Sequence, residues 1–184
     1  MSEHLVHPPA QPWSIEDLLG LPSDGMRYEL VDGSLLVSPH AGIPHGRVVQ
    51  HLRRQLERYA PETVEVGQNL AVRVRSPRSY FVPDLWVVRS EALNRAGNSF
   101  ESTDVLLVVE VLSPSNKAID LVLKRHYYAD GGVSEYWIVD SDGGTITVLR
   151  LDGDMYAEVA VVKAGETYRA QTPFPLELDP ADVL

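Results

Sequence analysis

Residues 105–112, Val-Leu-Leu-Val-Val-Glu-Val-Leu, decide the predicted fold, because they are apolar at every position except one. The exception is Glu110, so the segment does not show the alternation of apolar and polar residues that a strand with one solvent-exposed face would have. A continuous apolar run of this length is typical of a β-strand that is covered on both faces. We therefore place residues 105–112 at the centre of a sheet.

The residues after this strand predict a helix and then more strands. Ser113-Pro114-Ser115-Asn116 supplies the small polar residues that cap helix N-termini, and Gly131-Gly132 is a typical helix end. We predict a helix from about Lys117 to Ala129. Beyond it, the buried-strand pattern Tyr-Trp-Ile-Val begins at residue 136, and Gly-rich turns separate two later runs. These runs predict a C-terminal β-meander through residues 145–151 and 155–162.

The residues before the central strand predict a hairpin and a long helix. Asp32-Gly33 separates two strand-like runs, 28–31 and 34–37, and supplies the backbone angles of a tight hairpin turn. Apolar residues recur at helical spacing from about Pro44 to Ala60, and Pro61 stops that pattern. Ser14 and Asp17 indicate the start of a short helix. Three further strands are predicted at 63–66, 69–74 and 80–88.

The composition predicts one globular domain. The chain has 184 residues, of which 44% are hydrophobic, and it contains no internal repeat or linker, so we expect a flexible arm at residues 1–12 and a single domain at 13–184. The fold class is mixed α/β (α+β). No cysteine is present, which excludes disulfides, thiolate metal sites and cysteine nucleophiles. The first ten residues lack a signal-peptide pattern and no run of 18 apolar residues exists, so we expect a soluble, cytoplasmic protein.

The net charge of −10 disfavours a polyanionic partner, but the charges are unevenly distributed. Between Arg47 and Arg95 there are nine Arg against five acids, a local excess of +4. Arg53 and Arg54 in this segment could follow a nucleic acid backbone. The alternative is an ordinary solvated helix face.

Two carboxylates lie in strongly apolar surroundings and must be compensated, because an isolated buried charge is costly. Asp84 follows Phe81-Val82-Pro83, and Glu110 interrupts the central strand. If the two strands are neighbours, both side chains can converge on one hard cation such as Mg²⁺. Alternatively, each carboxylate pairs with a nearby Arg or Lys.

Lys124 also has two interpretations. Asp120 and Lys124 are four residues apart on the predicted helix, which is the spacing of a surface ion pair. However, the helix begins directly after the Glu110 strand, so Lys124 can lean back over the end of that strand. A cation there could orient an attacking water or stabilise charge on a phosphate.

Several of these segments together resemble one known family. The motifs are Tyr-Glu-Leu-Val-Asp-Gly from residue 28, His45, Val-Pro-Asp from residue 82, Glu-Val-Leu-Ser-Pro-Ser from residue 110, Asp120 with Lys124, and Gly-Val-Ser-Glu-Tyr-Trp-Ile-Val-Asp from residue 132. In this order they resemble the Uma2 family of putative restriction endonucleases, over about residues 13–184. The resemblance implies the PD-(D/E)XK nuclease fold: a restriction-endonuclease-like core in which a central mixed sheet is flanked by helices.

The resemblance also implies roles for individual residues. Asp84 and Glu110 would be the acidic metal ligands, with the Val111 carbonyl as a third oxygen, for Mg²⁺ or Mn²⁺ as its substitute. Glu29 would be the upstream acid. The usual superfamily lysine position is occupied here by Leu112, so Lys124 would be a lysine that has migrated to the helix.

His45 matches the family at the head of the first long helix, where it either touches substrate or caps and packs the helix. The other histidines have no spacing that indicates a zinc site. The sequence also has no GxSxG, P-loop, GxGxxG or HExxH motif. These absences leave the acidic pair as the candidate chemistry.

The resulting hypothesis is a Mg²⁺-dependent endonuclease of the endodeoxyribonuclease type. It would hydrolyse nucleic acid, with DNA as the first candidate substrate, and act as a homodimer. Asp84, Glu110, Lys124 and Glu29 would be its catalytic residues, and His45, Arg53 and Arg54 would contact the nucleic acid. Two alternatives remain: a catalytically silent module that keeps the fold for binding or regulation, which the −10 charge favours, and a structural homodimer without a ligand.

Overall fold

The computed structural model describes residues 12–39, 41–113 and 119–184. Within these residues, the predicted central strand is β8 of a six-stranded sheet with the order β11-β10-β9-β8-β6-β3. β8 pairs with β6 in antiparallel and with β9 in parallel orientation, so the sheet is mixed. The bounds of its strands, in chain order, are β3 Val64–Gly67, β6 Leu85–Arg89, β8 Val105–Val111, β9 Glu135–Asp140, β10 Thr145–Asp152 and β11 Met155–Lys163.

A second sheet covers part of the first. It has five strands in the order β2-β1-β5-β4-β7, and a short pair, β12-β13, lies near the C-terminus. The bounds are β1 Met26–Val31, β2 Ser34–Pro39, β4 Ala71–Arg73, β5 Tyr80–Phe81, β7 Ser99–Glu101, β12 Tyr168–Ala170 and β13 Leu176–Leu178. The predicted hairpin is confirmed as β1–β2, with Asp32 and Gly33 both at positive φ in its turn.

The α-helices are α1 Ile15–Leu19, α2 Ile43–Tyr59, α3 Ser90–Leu93 and α4 Arg125–Asp130. The capping box predicted at Ser14 and Asp17 is present at the start of α1. α4 follows a π-helical segment, Ile119–Lys124, so the predicted second helix is present from residue 119 onward. Residues 114–118, which carry most of its predicted cap, and residues 1–11 of the predicted arm lie outside the described residues.

One predicted strand, 80–88, is wrong as a single element. It is divided into β5, which belongs to the five-stranded sheet, and β6, which belongs to the six-stranded sheet. The link between them is Val82-Pro83-Asp84. Proline has no amide hydrogen to donate and therefore interrupts strand pairing. As a result, Asp84 lies at the entrance of β6 rather than inside a strand.

The two faces of β8 pack against different partners, because side chains alternate along a strand. Leu107, Val109 and Val111 belong to a core cluster that includes the buried residues of α2. Val108 belongs to a second cluster that contains Tyr128 of α4. Both faces of β8 are therefore covered, as predicted, and Glu110 is on the α4 face.

The turn of the β1–β2 hairpin is tied to α4. The carboxylate of Asp32 accepts hydrogen bonds from the hydroxyls of Ser76 at 2.8 Å, of Ser79 at 3.2 Å, and of Tyr127. The hydrogen bond from Tyr127, followed by those from the serines, holds the pKa of Asp32 below its usual value.

No helix in the described ranges combines the length and apolar character that crossing a bilayer requires.

Candidate active site

The two acidic positions singled out by the sequence lie at the same end of neighbouring strands. β6 and β8 run antiparallel with Leu85 opposite Val109, which places Asp84 beside Glu110. The backbone amide of Val111 donates a hydrogen bond to Asp84 Oδ2 at 2.8 Å. The two strands are therefore neighbours, which is the condition under which we expected the Asp84 and Glu110 side chains to approach each other.

Lys124 lies beside the acids rather than on the surface. Its side chain is 0% exposed, and its Nζ lies 2.9 Å from Glu110 Oε1 and 3.0 Å from Glu29 Oε1. The Tyr128 hydroxyl donates a second hydrogen bond to Glu110 Oε1, at 3.2 Å. The surface-pair interpretation of Lys124 is thus wrong, because a side chain without exposed area cannot form a solvated pair.

Glu29 is held from two sides. Its side chain is 1% exposed, and Oε1 accepts a hydrogen bond from the backbone amide of Val82 at 2.8 Å. β1 supplies Glu29 and β8 supplies Glu110, while the π-helical segment before α4 supplies Lys124. Leu112 packs at the edge of the α4-side apolar cluster. The cation beside Glu110 thus comes from the π-helical segment before α4, while residue 112 of the chain is Leu.

His45, at the start of α2, bridges Asp84 and the backbone of β8. Its Nε2 lies 3.1 Å from Asp84 Oδ2 and 3.0 Å from the Val111 carbonyl oxygen. Because both of these atoms are acceptors, Nε2 is the nitrogen that carries a hydrogen. Burial lowers the pKa of His45, but the hydrogen bond and charge of Asp84 and the Val111 carbonyl outweigh it, so the pKa is raised.

Asp84 is ionised and compensated. Burial raises the pKa of its carboxyl, but the hydrogen bond and charge of His45, the Val111 amide and the charge of Arg27 outweigh burial, so the pKa is lowered. Arg27 Nη1 lies 3.3 Å from Asp84 Oδ1. Asp84 and Glu110 therefore each have a cationic partner, Arg27 and Lys124, as the second interpretation of the two carboxylates predicted.

Arg27 is a residue of this cluster that the sequence analysis missed, as is Tyr128, whose hydroxyl contacts Glu110. Arg27 Nε lies 3.7 Å from Glu29 Oε2, and Arg27 Nη1 lies 3.5 Å from the Val82 carbonyl oxygen. The predicted strand began at residue 28, so Arg27 fell just outside it, whereas the observed β1 contains both Arg27 and Glu29, which are two residues apart and share a face. Without the sheet pairing, nothing indicated that this face meets Asp84.

The chemistry of the cluster suits a hard divalent cation. Asp84 Oδ2 and the Val111 carbonyl oxygen are both oxygen donors of the kind that Mg²⁺ prefers, and His45 Nε2 occupies the point between them, at 3.1 and 3.0 Å. In the described ranges, no group of three or more His, Asp or Glu side chains is arranged to hold a metal. A cation here would therefore take few protein ligands and complete its shell with water and phosphate, as Mg²⁺ commonly does.

Two cavities adjoin the cluster, of about 640 and 750 Å³. Arg27 and His45 line both, and Asp84 lines the larger. Arg53 lines the larger cavity and forms an ion pair with Glu57 at 2.7 Å. Arg54 is exposed to solvent on the same helix. The structure thus brings His45 and Arg53 towards the acids.

The comparisons with known proteins agree with this architecture. The family model Uma2, described as "Putative restriction endonuclease", matches residues 15–183. A crystal structure of a putative nuclease belonging to DUF820 from Anabaena variabilis has a TM-score of 0.72 and 18% identity, and the alignment covers 94% of this chain and 97% of that one. At this identity the likeness shows a shared fold. No curated protein sequence matches the chain.

Proposed function

Since this chain belongs to the Uma2 family of putative restriction endonucleases, we propose that it is a metal-dependent nuclease that hydrolyses phosphodiester bonds in nucleic acid, with DNA as the first candidate substrate. The observation that carries the proposal is the buried cluster of Glu29, Glu110 and Lys124 next to Asp84. Glu29 and Glu110 meet at Lys124, Arg27 contacts both Glu29 and Asp84, and Arg27 and Asp84 line the larger cavity.

Asp84, Glu110 and the Val111 carbonyl would hold the cation, Mg²⁺ or Mn²⁺ in its place. When bound, such a cation supplies charge neutralisation at the phosphate and lowers the pKa of water. The protein's contribution is to keep the Asp84 carboxylate ionised and directed at the same point as the Val111 carbonyl. His45 Nε2 now contacts both atoms from α2, so a cation that used both oxygens would take the place of these two hydrogen bonds.

Lys124 and Glu29 would act beside Glu110, near the end of β8. Because the Lys124 side chain is 0% exposed, it does not face either cavity directly, and orienting a water beside Glu110 suits its position better than contact with substrate. Glu29 Oε1, 3.0 Å from Lys124 Nζ, holds the lysine side chain in place. The attacking group would be water, activated within reach of Glu110.

His45, Arg53 and Arg54 would contact the nucleic acid from α2. Arg53 lines the larger cavity, so it has access to a substrate at Asp84, whereas Arg54 would reach only backbone phosphates outside the cavity. A homodimer is the proposed assembly, since two copies related by a two-fold axis can present one site to each strand of a duplex.

The test is a cleavage assay on plasmid DNA and on RNA with Mg²⁺ or Mn²⁺, together with calorimetric titration of the metal. Asp84→Asn should abolish cleavage and weaken metal binding. Lys124→Met should lower turnover by roughly 10²- to 10³-fold while metal affinity is kept or slightly improved, because a neighbouring positive charge is gone. Arg169→Met is the matched control, because Arg169 forms an exposed ion pair with Glu177 on β12–β13.

Two results would contradict the proposal in different ways. Metal binding without cleavage of either nucleic acid would favour the catalytically silent binding module. Cleavage at the wild-type rate by a folded Lys124→Met variant would remove the lysine from the active site.

A further inference from the structure

Arg27 is the permanently charged side chain of the cluster that a ligand can reach. Its side chain is 15% exposed and lines both cavities, whereas that of Lys124 is 0% exposed. His45 also lines both cavities, but its Nε2 is engaged at 3.0 and 3.1 Å by Val111 and Asp84. Among these three basic groups, Arg27 is therefore the one placed to meet an anion in the cavities.

The contacts of Arg27 with the acids are long. They measure 3.3 Å to Asp84 and 3.7 Å to Glu29, compared with 2.9 and 3.0 Å for the contacts of Lys124. Charge-assisted hydrogen bonds between guanidinium and carboxylate groups are usually about 2.7 to 2.9 Å long. The contacts of Arg27 with these two carboxylates are therefore longer than those of Lys124 with Glu110 and Glu29.

We propose that Arg27 binds a non-bridging oxygen of the substrate phosphodiester when a divalent cation is held at Asp84. This inference rests on the proposed function and gives the site its phosphate-binding residue. Once Asp84 is engaged by a cation, the guanidinium has a like-charged neighbour and a weakened carboxylate partner. A phosphate entering either cavity supplies the anion that both positive groups then need.

Arginine suits this role better than lysine. Its planar guanidinium presents five N–H donors in a fixed fork that matches two phosphate oxygens at once. Glu29 remains within 3.7 Å of Nε and can hold that edge of the group while the Nη atoms turn towards phosphate. Arg27 is thus assigned to contact with substrate, whereas Lys124 contacts the buried carboxylates of Glu29 and Glu110.

The experiment separates phosphate binding from positioning of Asp84. Mg²⁺ affinity is measured by calorimetry, and binding of a short fluorescein-labelled DNA duplex is measured by anisotropy with Ca²⁺ present, for wild type, Arg27→Met, Arg27→Lys and Arg169→Met. Arg27→Met should weaken DNA binding by roughly ten- to a hundredfold, the cost of losing a hydrogen bond to a charged group. Its salt dependence should lose about one unit of slope, while Mg²⁺ affinity stays equal or rises.

Arg27→Lys keeps a point charge but not the fork, so its loss of DNA affinity should be intermediate. If Arg27→Met does not fold, this variant decides the question alone. Arg169→Met should match wild type in both measurements. A fall in Mg²⁺ affinity with unchanged DNA binding would show that Arg27 only positions Asp84, and would overturn the inference. Wild type that binds Mg²⁺ but no nucleic acid would overturn the proposed function itself.

Discussion

In the metal-free protein, replacing Lys124 should lower the free energy of unfolding more than replacing any other residue of the cluster. At an effective dielectric constant of about 20, a contact of 2.9 or 3.0 Å between opposite charges corresponds to about 6 kcal/mol of attraction, so Glu110 and Glu29 together hold the ammonium strongly. Much of this attraction is offset by the cost of taking three charges out of water. Replacing Lys124 with Met removes the attraction but leaves both carboxylates buried, at 0% and 1% exposure.

We therefore expect Lys124→Met to lower the free energy of unfolding by about 3 to 5 kcal/mol. The measurement is urea denaturation followed by circular dichroism with EDTA present. With an m-value of about 2 kcal/mol/M, the midpoint should fall by about 2 M. Adding Mg²⁺ should restore more stability to this variant than to wild type, because its uncompensated carboxylates bind the cation more tightly.

Two control variants define the cause. Lys163→Met removes an exposed lysine of β11 and should change stability by less than about 0.5 kcal/mol. Lys124→Met combined with Glu29→Gln and Glu110→Gln leaves no buried charge in this group and should recover at least half of the loss. A loss below about 1 kcal/mol in Lys124→Met, with an unchanged m-value, would refute the buried network as a source of stability.

Three further predictions concern other parts of the molecule. Because hydrogen bonds lower the pKa of Asp32 in the folded state, its contribution to stability is present above the usual carboxyl pKa of about 3.9 and is lost as the pH falls further. In urea melts, wild type should thus be more stable than Asp32→Asn at pH 7. The difference in stability should disappear when the pH is low enough to protonate Asp32, and a difference that does not change with pH would contradict this assignment. Arg53→Gln with Arg54→Gln should weaken nucleic acid binding for all sequences alike and reduce the salt slope by up to about two units, and binding insensitive to salt would place the contact surface elsewhere. Gly67→Ala should destabilise the fold by about 1 to 3 kcal/mol in thermal or urea melts, because its Cβ would lie 2.2 Å from the indole ring of Trp86, and wild-type stability would mean that the ring can move aside.

Local signals in the sequence were sufficient to predict the central strand, the hairpin and the first long helix. The apolar run at 105–112 is the interior strand β8, the Asp32-Gly33 turn closes the β1–β2 hairpin, and the helical spacing from Pro44 onward corresponds to α2. These predictions succeeded because periodicity, turn chemistry and caps act between residues a few positions apart. The family motifs likewise indicated which acids to examine, and the fold class agrees with the structural comparison.

The cationic partners of the acids follow from long-range packing and could not be predicted from the sequence. Glu29, Glu110 and Lys124 come from a hairpin strand, a central strand and a helix, and Arg27 meets Asp84 only because β1 and the entrance of β6 lie side by side. The division of residues 80–88 between two sheets is equally non-local, since Pro83 interrupts the pairing but does not specify which sheet each half joins. A buried charge is tolerated only with its partner in place, and that partner is set by packing across the whole fold rather than by neighbouring residues in the chain.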